Sequence, residues 1–275
     1  MLDGLRERGL KVDEKLARTY ETYVKEMRML DAYKPRMFFS QPVMPRLTED
    51  FVNAEQVKKI AERNDAAIVV IARVSGEGTD RLPAEGDFYL ASDEQALLKK
   101  VSSAFHALGK SVTVILNIGA PIVIASWRDG VDAILLVWQA GQETGRVAAD
   151  AILGRINPSG KLPTTFPKDW PDVPVAKSVD CYPGVPVENP RVVKYCEDVY
   201  VGYRFYDTFN VEPAYEFGFG LSYTKFEYRN LSVEKVGDKV KVMFEVVNVG
   251  VYPVKRLRRC TLKHRKVSWI NRTKS

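Results

Sequence analysis

Three short apolar runs, each leading into a stretch of helical character, constrain this chain more than any other feature. Residues 66–73, 112–117 and 133–138 are rich in Val, Ile and Leu and read as strands. Residues 92–109 read as a helix that opens on Ser92-Asp93-Glu94-Gln95, side chains suited to a helix start. Residues 141–154 read as another, stopped by Gly154 and Pro158. A helix over 55–63, closed by Asn64-Asp65, precedes the first strand, and 121–127 reads as a short helix. Strand and helix alternating at this spacing imply an α/β fold, a parallel sheet covered by helices. The alternation starts only after about 65 residues, so the pattern reads as entered partway, with an early strand missing.

The flanks differ in character. Residues 13–31 predict a helix with a thin apolar face, and 34–50, with Pro35, Pro42 and Pro45, predict a loop. Residues 181–223 are rich in Tyr, Phe, Gly and Pro without a clear period. Residues 226–234 and 239–247 then alternate apolar and polar side chains around Gly237-Asp238, which predicts a β-hairpin of an all-β module. Two strands do not make a stable module, so this part also reads as incomplete.

Composition narrows the function classes. No apolar run has the length of a transmembrane helix, and the first eight residues lack the apolar core of a signal peptide. Cys181, Cys196 and Cys260 are scattered, with no C-x-x-C pair. Such spacing suggests reduced thiols in a cytoplasmic protein, with neither a disulfide frame nor a metal site. The formal charge is +6, but residues 251–275 hold nine Lys and Arg and no acid, so the preceding 250 residues carry −3. The body is mildly acidic and the basicity belongs to one tail.

Ser75-Gly76-Glu77-Gly78-Thr79-Asp80-Arg81 follows the first strand directly. A polar Gly-rich loop at the carboxyl end of a parallel strand is where α/β folds present working side chains. Glu77, with a glycine on each side, is the carboxylate so presented. Three further segments follow: Trp138-Gln139-Ala140-Gly141-Gln142-Glu143; residues 154–167, with Asn157-Pro158-Ser159-Gly160-Lys161-Leu162-Pro163 at their centre; and residues 215–224, with Phe217-Gly218-Phe219-Gly220-Leu221-Ser222-Tyr223. Together, in this order, the four resemble the C-terminal half of glycoside hydrolase family 3, of the β-glucosidase kind, over roughly residues 1–250.

The resemblance implies a plan of three parts: a (β/α)8 barrel, an α/β sandwich domain, and a fibronectin type III-like domain. It implies retaining hydrolysis of β-glucosides and short oligosaccharides, which takes two carboxyls about 5–5.5 Å apart. In the family the nucleophile is an Asp on the barrel, and the acid/base is a Glu in a Ser-Gly-Glu-Gly loop of the sandwich domain. The matching position here is Glu77. Thr79 departs from the aromatic often found there, which bears on acceptor-side contacts. No segment of this chain matches the barrel, so the nucleophile and most sugar-binding residues are expected on sequence outside it. The sandwich domain is expected over 1–205 without its first strand. A linker is expected over 206–224, the start of the fibronectin type III-like domain over 225–250, and a basic tail over 251–275. Read one base out of frame, permissible codons for residues 254–274 spell K-E-V-A-Q-V-Y-I-K, the strand expected after the hairpin, so the tail is expected to be frameshifted.

The expected role is therefore a β-glucosidase fragment that supplies the acid/base but is inactive or nearly so alone, with Glu77 an exposed carboxylate. It needs no cofactor and no metal, and binds neither nucleic acid nor membrane. Two alternatives stand beside it: a non-catalytic carbohydrate-binding or interaction module, and a split-enzyme subunit pairing with a separately encoded barrel. Asp80 and Arg81 read as a surface ion pair, and Trp138 with Gly141-Gln142-Glu143 as packing plus a helix start. Gly160-Lys161 reads as a turn lacking phosphate-loop spacing. Tyr200, Tyr203, Phe205, Tyr206 and Phe209 read as packing, and neither His106 nor His264 as a ligand.

Overall fold

The computed structural model describes residues 1–34, 45–73 and 81–252, together with the backbone of 36–38 and 41–43. Within these residues the chain divides into two compact units. One comprises residues 1–156 and 162–219; the other comprises 157–161 and residues from 220 onward.

The first unit is α/β. Strands β3 (Ala66–Ala72), β4 (Ser111–Asn117) and β5 (Ala133–Leu136) form a parallel sheet in the order β3-β4-β5. Ala66 faces Ser111 and Thr113 faces Ala133 in the two registers. Val112, Val114, Ile115 and Leu116 of β4 are all fully buried, on both faces. That is why the central strand runs apolar from Val114 through Ile115 to Leu116, with Thr113 the one polar side chain between Val112 and Leu116, where a half-exposed strand would alternate. Helix α4 (Ser92–His106) packs on β3 and β4, and α3 (Ala54–Arg63) packs on α4. Leu97, Leu98, Val101 and Phe105 of α4 and Val57 and Ala61 of α3 enter the core beside β4. Helix α3 starts in a capping box, Asn53 Oδ1 accepting from Gln56 N at 2.9 Å and Gln56 Oε1 from Asn53 N at 2.8 Å.

Helix α2 (Glu14–Met27) is capped by Asp13, whose Oδ1 accepts from Leu16 N at 3.0 Å. The other oxygen of Asp13 accepts from Arg63 Nε at 2.6 Å and Asn64 Nδ2 at 3.1 Å, so one carboxylate ties the start of α2 to the end of α3. Burial alone would raise this carboxyl, but the Arg63, Leu16 and Asn64 bonds outweigh it and hold the pKa at about 2. A depressed folded-state pKa gives stability that is present above the unfolded value near 4 and lost as pH falls toward 2. Asparagine keeps the cap and removes the charge. The stability difference between wild type and Asp13→Asn, measured by urea unfolding, is therefore expected to be constant above about pH 5 and to shrink between pH 4 and 2.

Several sequence expectations need correction. Residues 121–127 form no helix: Ile122, Val123 and Ile124 are buried in succession, and Val123 N donates to Phe88 O at 2.8 Å. A 3-10 turn, Arg128–Gly130, follows. The 34–50 loop contains a short antiparallel pair, β1 (Arg36–Phe38) with β2 (Gln41–Val43). A helix unforeseen in the sequence, α1 (Leu2–Glu7), packs on α5 (Thr144–Ile152). The two backbones meet at glycines: a Cβ on Gly4 would lie 2.2 Å from the carbonyl carbon of Gly145.

The cysteine expectation is overturned. Cys181 and Cys196 form a disulfide, with Cα atoms 5.7 Å apart. Between them the backbone doubles back, Val185 and Val192 exchanging N–H···O bonds of 2.9 and 3.2 Å. Gly184 makes the reversal possible, with φ of +106° and a Cβ position 2.6 Å from Val192 O. The thiol argument for a cytoplasmic location goes with the free thiols. No helix among the described residues is long and apolar enough to cross a membrane.

The second unit is built on an antiparallel hairpin, β6 (Phe226–Val236) with β7 (Lys239–Asn248). Gly237 turns it at φ +59°, and the register slips between Arg229 and Ser232. Asn157 Oδ1 accepts from Ser222 Oγ and Tyr223 N, both at 2.9 Å, joining residues 157–161 to this unit.

Candidate functional site

Glu77 lies outside the described residues, as do Thr79 and Asp80; what is described is the frame on either side. The frame begins at Arg73, just beyond the carboxyl end of β3. Its guanidinium is buried and grips Glu94 with both arms, Nη1 to Oε1 at 2.8 Å and Nη2 to Oε2 at 2.7 Å. The remaining donors go to carbonyls: Nε to Asp87 at 3.0 Å, Nη1 to Ala72 at 2.8 Å, and Nη2 to Tyr89 at 3.2 Å. All five N–H groups of the fork are used. Glu94 sits in the first turn of α4, where Oε2 also accepts from Ala91 N at 2.8 Å.

On the return side Arg81 pairs with Asp87. Its Nε donates to Asp87 Oδ1, and Nη2 donates to Asp87 O at 2.9 Å. Leu82 N donates to Asp87 Oδ2 at 2.7 Å. The Tyr182 hydroxyl donates to Arg81 O. The Tyr182 ring meets Trp170 at 5.5 Å, and Trp170 meets Phe88 edge-on at 5.4 Å. The expected partner of Arg81 within its own loop, Asp80, lies outside the described residues; among the described residues Arg81 bonds Asp87, six residues on.

A cleft of about 470 Å³ opens at this end of β3, bordered among the described residues by Arg28, Arg46, Glu49, Arg73, Arg81 and Asp87. Its charges are mostly matched: Arg46 clasps Asp93 through two bonds of 2.8 Å, and the Tyr20 hydroxyl donates to Glu49 Oε2 at 2.9 Å. Burial raises the Glu49 carboxyl against the opposing Tyr20 bond. Arg73, Asp87, Glu94, Glu49 and Tyr182 were all missed in the sequence. The one signal was an arginine closing an apolar strand, a charge that must find a partner once buried.

The sequence matches the model of the glycosyl hydrolase family 3 C-terminal domain over residues 1–223. The chain belongs to glycosyl hydrolase family 3. Among its relatives is the beta-glucosidase of Ruminococcus albus, 34% identical over 260 residues, an alignment that takes in 90% of this chain and 24% of that protein. Among solved structures, beta-glucosidase 3B from Thermotoga neapolitana in complex with glucose is 57% identical with a TM-score of 0.85, over 90% of this chain and 34% of that one. A beta-glucosidase from Paenibacillus barengoltzii is 29% identical with a TM-score of 0.71, over 90% of this chain and 26% of that one. The chain thus spans about a quarter to a third of the length of these relatives.

Of the other residues singled out in the sequence of this family 3 chain, His264 lies outside the described residues and the rest make the following contacts. Trp138, at φ +50°, packs on the core and lies 6.2 Å from Phe166. Gly141–Glu143 forms a 3-10 turn that enters α5. Phe205 and Tyr206 are buried within α6 (Tyr203–Phe209), Tyr203 stacks on Phe217 at 4.9 Å, and Tyr200 meets Phe209 at 5.1 Å. Lys161 donates to the Gly220 carbonyl, and residues 157–162 form no hydrogen-bonded turn, so the expected turn at Gly160-Lys161 is not observed. His106 Nε2 lies 2.9 Å from Asp132 Oδ2, at the surface. Among the described residues, no three His, Cys, Asp or Glu side chains converge as a metal site would need.

Proposed function

We propose that this chain is the acid/base-bearing α/β part of a retaining β-glucosidase, with Glu77 as the proton donor. The observation that carries the reading is the family match over residues 1–223 with Ser75-Gly76-Glu77-Gly78 at the carboxyl end of β3. The named relatives are beta-glucosidases at 29–57% identity, which supports glucosides as the substrate class. In the first step Glu77 protonates the glycosidic oxygen while a carboxylate outside this chain attacks the anomeric carbon. In the second it takes a proton from the water that releases glucose. A carboxyl that donates near neutral pH needs its pKa raised, by burial against the sugar and the partner carboxylate. The (β/α)8 barrel would supply both, in the same polypeptide or as a separate chain. The β6–β7 hairpin is read as the start of a fibronectin type III-like domain.

The test is Glu77→Gln in the enzyme assembled with its barrel. For an alkyl glucoside, whose leaving group needs a proton, kcat/KM is expected to fall by about 10²–10⁴. For 2,4-dinitrophenyl glucoside, whose leaving group departs unprotonated, it is expected to change little. Equal losses on both substrates would assign Glu77 another role.

A further inference from the structure

Asp87 ties together the two ends of the segment that carries Glu77. Its carbonyl oxygen accepts from Arg73 Nε at 3.0 Å and from Arg81 Nη2 at 2.9 Å. Residue 73 ends the strand side and residue 81 begins the return, so one oxygen, using both lone pairs, joins the two feet. The carboxylate then binds the return side twice more: Oδ1 takes Arg81 Nε, and Oδ2 takes Leu82 N at 2.7 Å. Arg73 cannot swing, because Glu94 holds both of its arms. Arg81 is also held from the other side, its carbonyl accepting the Tyr182 hydroxyl.

We infer that Asp87 is a positioning residue for the proton donor, an inference that rests on the reading of Glu77 above. A loop whose ends are pinned to one point has fewer conformations than one whose ends move apart. Proton transfer is sensitive to that restriction: a misplacement of about 1 Å can cost about 10²-fold in rate. In this reading Asp87 acts through Arg81 and Leu82, and what kcat/KM reports of it is the first step, in which Glu77 gives its proton to the leaving group.

Two variants test this. Asp87→Ala removes both carboxylate bonds and leaves the carbonyl. Arg81→Lys keeps the charge but cannot place two N–H groups on Asp87 at once. In the assembled enzyme, each is expected to lower kcat/KM for the alkyl glucoside by about 10-fold to 10²-fold, with 2,4-dinitrophenyl glucoside within about 3-fold of wild type. A merely destabilised protein loses activity on both substrates alike. In the chain itself, the Leu82 amide is expected to exchange with solvent faster in Asp87→Ala than in wild type. Should Asp87→Ala fail to fold, Arg81→Lys decides the matter. Leaving-group selectivity in Glu77→Gln without selectivity in the Asp87 and Arg81 variants overturns the positioning role and leaves the proton donor in place. No selectivity in Glu77→Gln overturns the donor and the positioning role with it.

Discussion

Glu94→Ala is expected to cost the α/β unit about 3–5 kcal/mol, the loss typical of breaking a buried ion pair from one side. The side chains of Arg73 and Glu94 are only 4% and 6% exposed. Removing the carboxylate strands a guanidinium charge and two of its five donors where water does not reach. It also removes the acceptor of Ala91 N at the start of α4. For a unit of roughly 200 residues, the melting temperature is expected to fall by about 6–20 °C. Replacing both partners, Arg73→Met with Glu94→Leu, leaves no unpaired charge and is expected to cost much less than Glu94→Ala alone. A double-mutant cycle by urea unfolding separates the two outcomes. If the single and double replacements were equally damaging, the loss would be one of packing, and the pair would not be the clamp described above.

Loss of the Cys181–Cys196 bridge is the second large effect. In the chain-entropy account, a cross-link across about 15 residues contributes about 3 kcal/mol by restricting the unfolded chain. Cys181→Ser with Cys196→Ser, or reduction with a small thiol, is expected to lower the melting temperature by about 6–12 °C. The bridge is adjacent to Tyr182, whose hydroxyl reaches Arg81 O, so the mobility of residues 81 and 82 is expected to rise as well. A thiol titration of the unfolded chain checks the premise directly. Of the three cysteines, one is expected to react before reduction and three after. Three reactive thiols before reduction would remove the bridge and the stability argument with it.

Much of the α/β unit was legible because its signals are local. Strand β4 is covered on both faces, so Val114, Ile115 and Leu116 are apolar in succession instead of alternating with polar residues. Gly109 and Gly154 end helical segments at φ +68° and +67°, a conformation other residues resist. The hairpin turn at Gly237-Asp238 follows the same rule. The misreadings share a cause too. Ile122-Val123-Ile124 is as apolar as a helix face or a strand, and its tertiary contacts, burial of all three side chains and the bond from Val123 N to Phe88 O, are what hold it outside both. Helix α1 is too short to be stable alone and forms against α5 through Gly4 and Gly145, two glycines far apart in the chain. Cysteines fifteen residues apart carry no pairing signal until Gly184 and the Val185–Val192 contact fold the segment back.

The candidate site divides along the same line. The segment Ser75-Gly76-Glu77-Gly78 is contiguous and stands out by itself, but on local sequence Glu77 reads as a solvated carboxylate; it is the resemblance of four segments together that marks it as the acid/base position. The groups that frame it, Arg73 with Glu94 twenty-one residues on and Arg81 with Asp87 and Tyr182, come from separate elements. Backbone preferences and apolar periodicity act between near neighbours, and they settled the α/β class. The match between buried charges acts between residues that meet only once the sheet and its helices are packed, and that packing decided how the two ends of the loop are held.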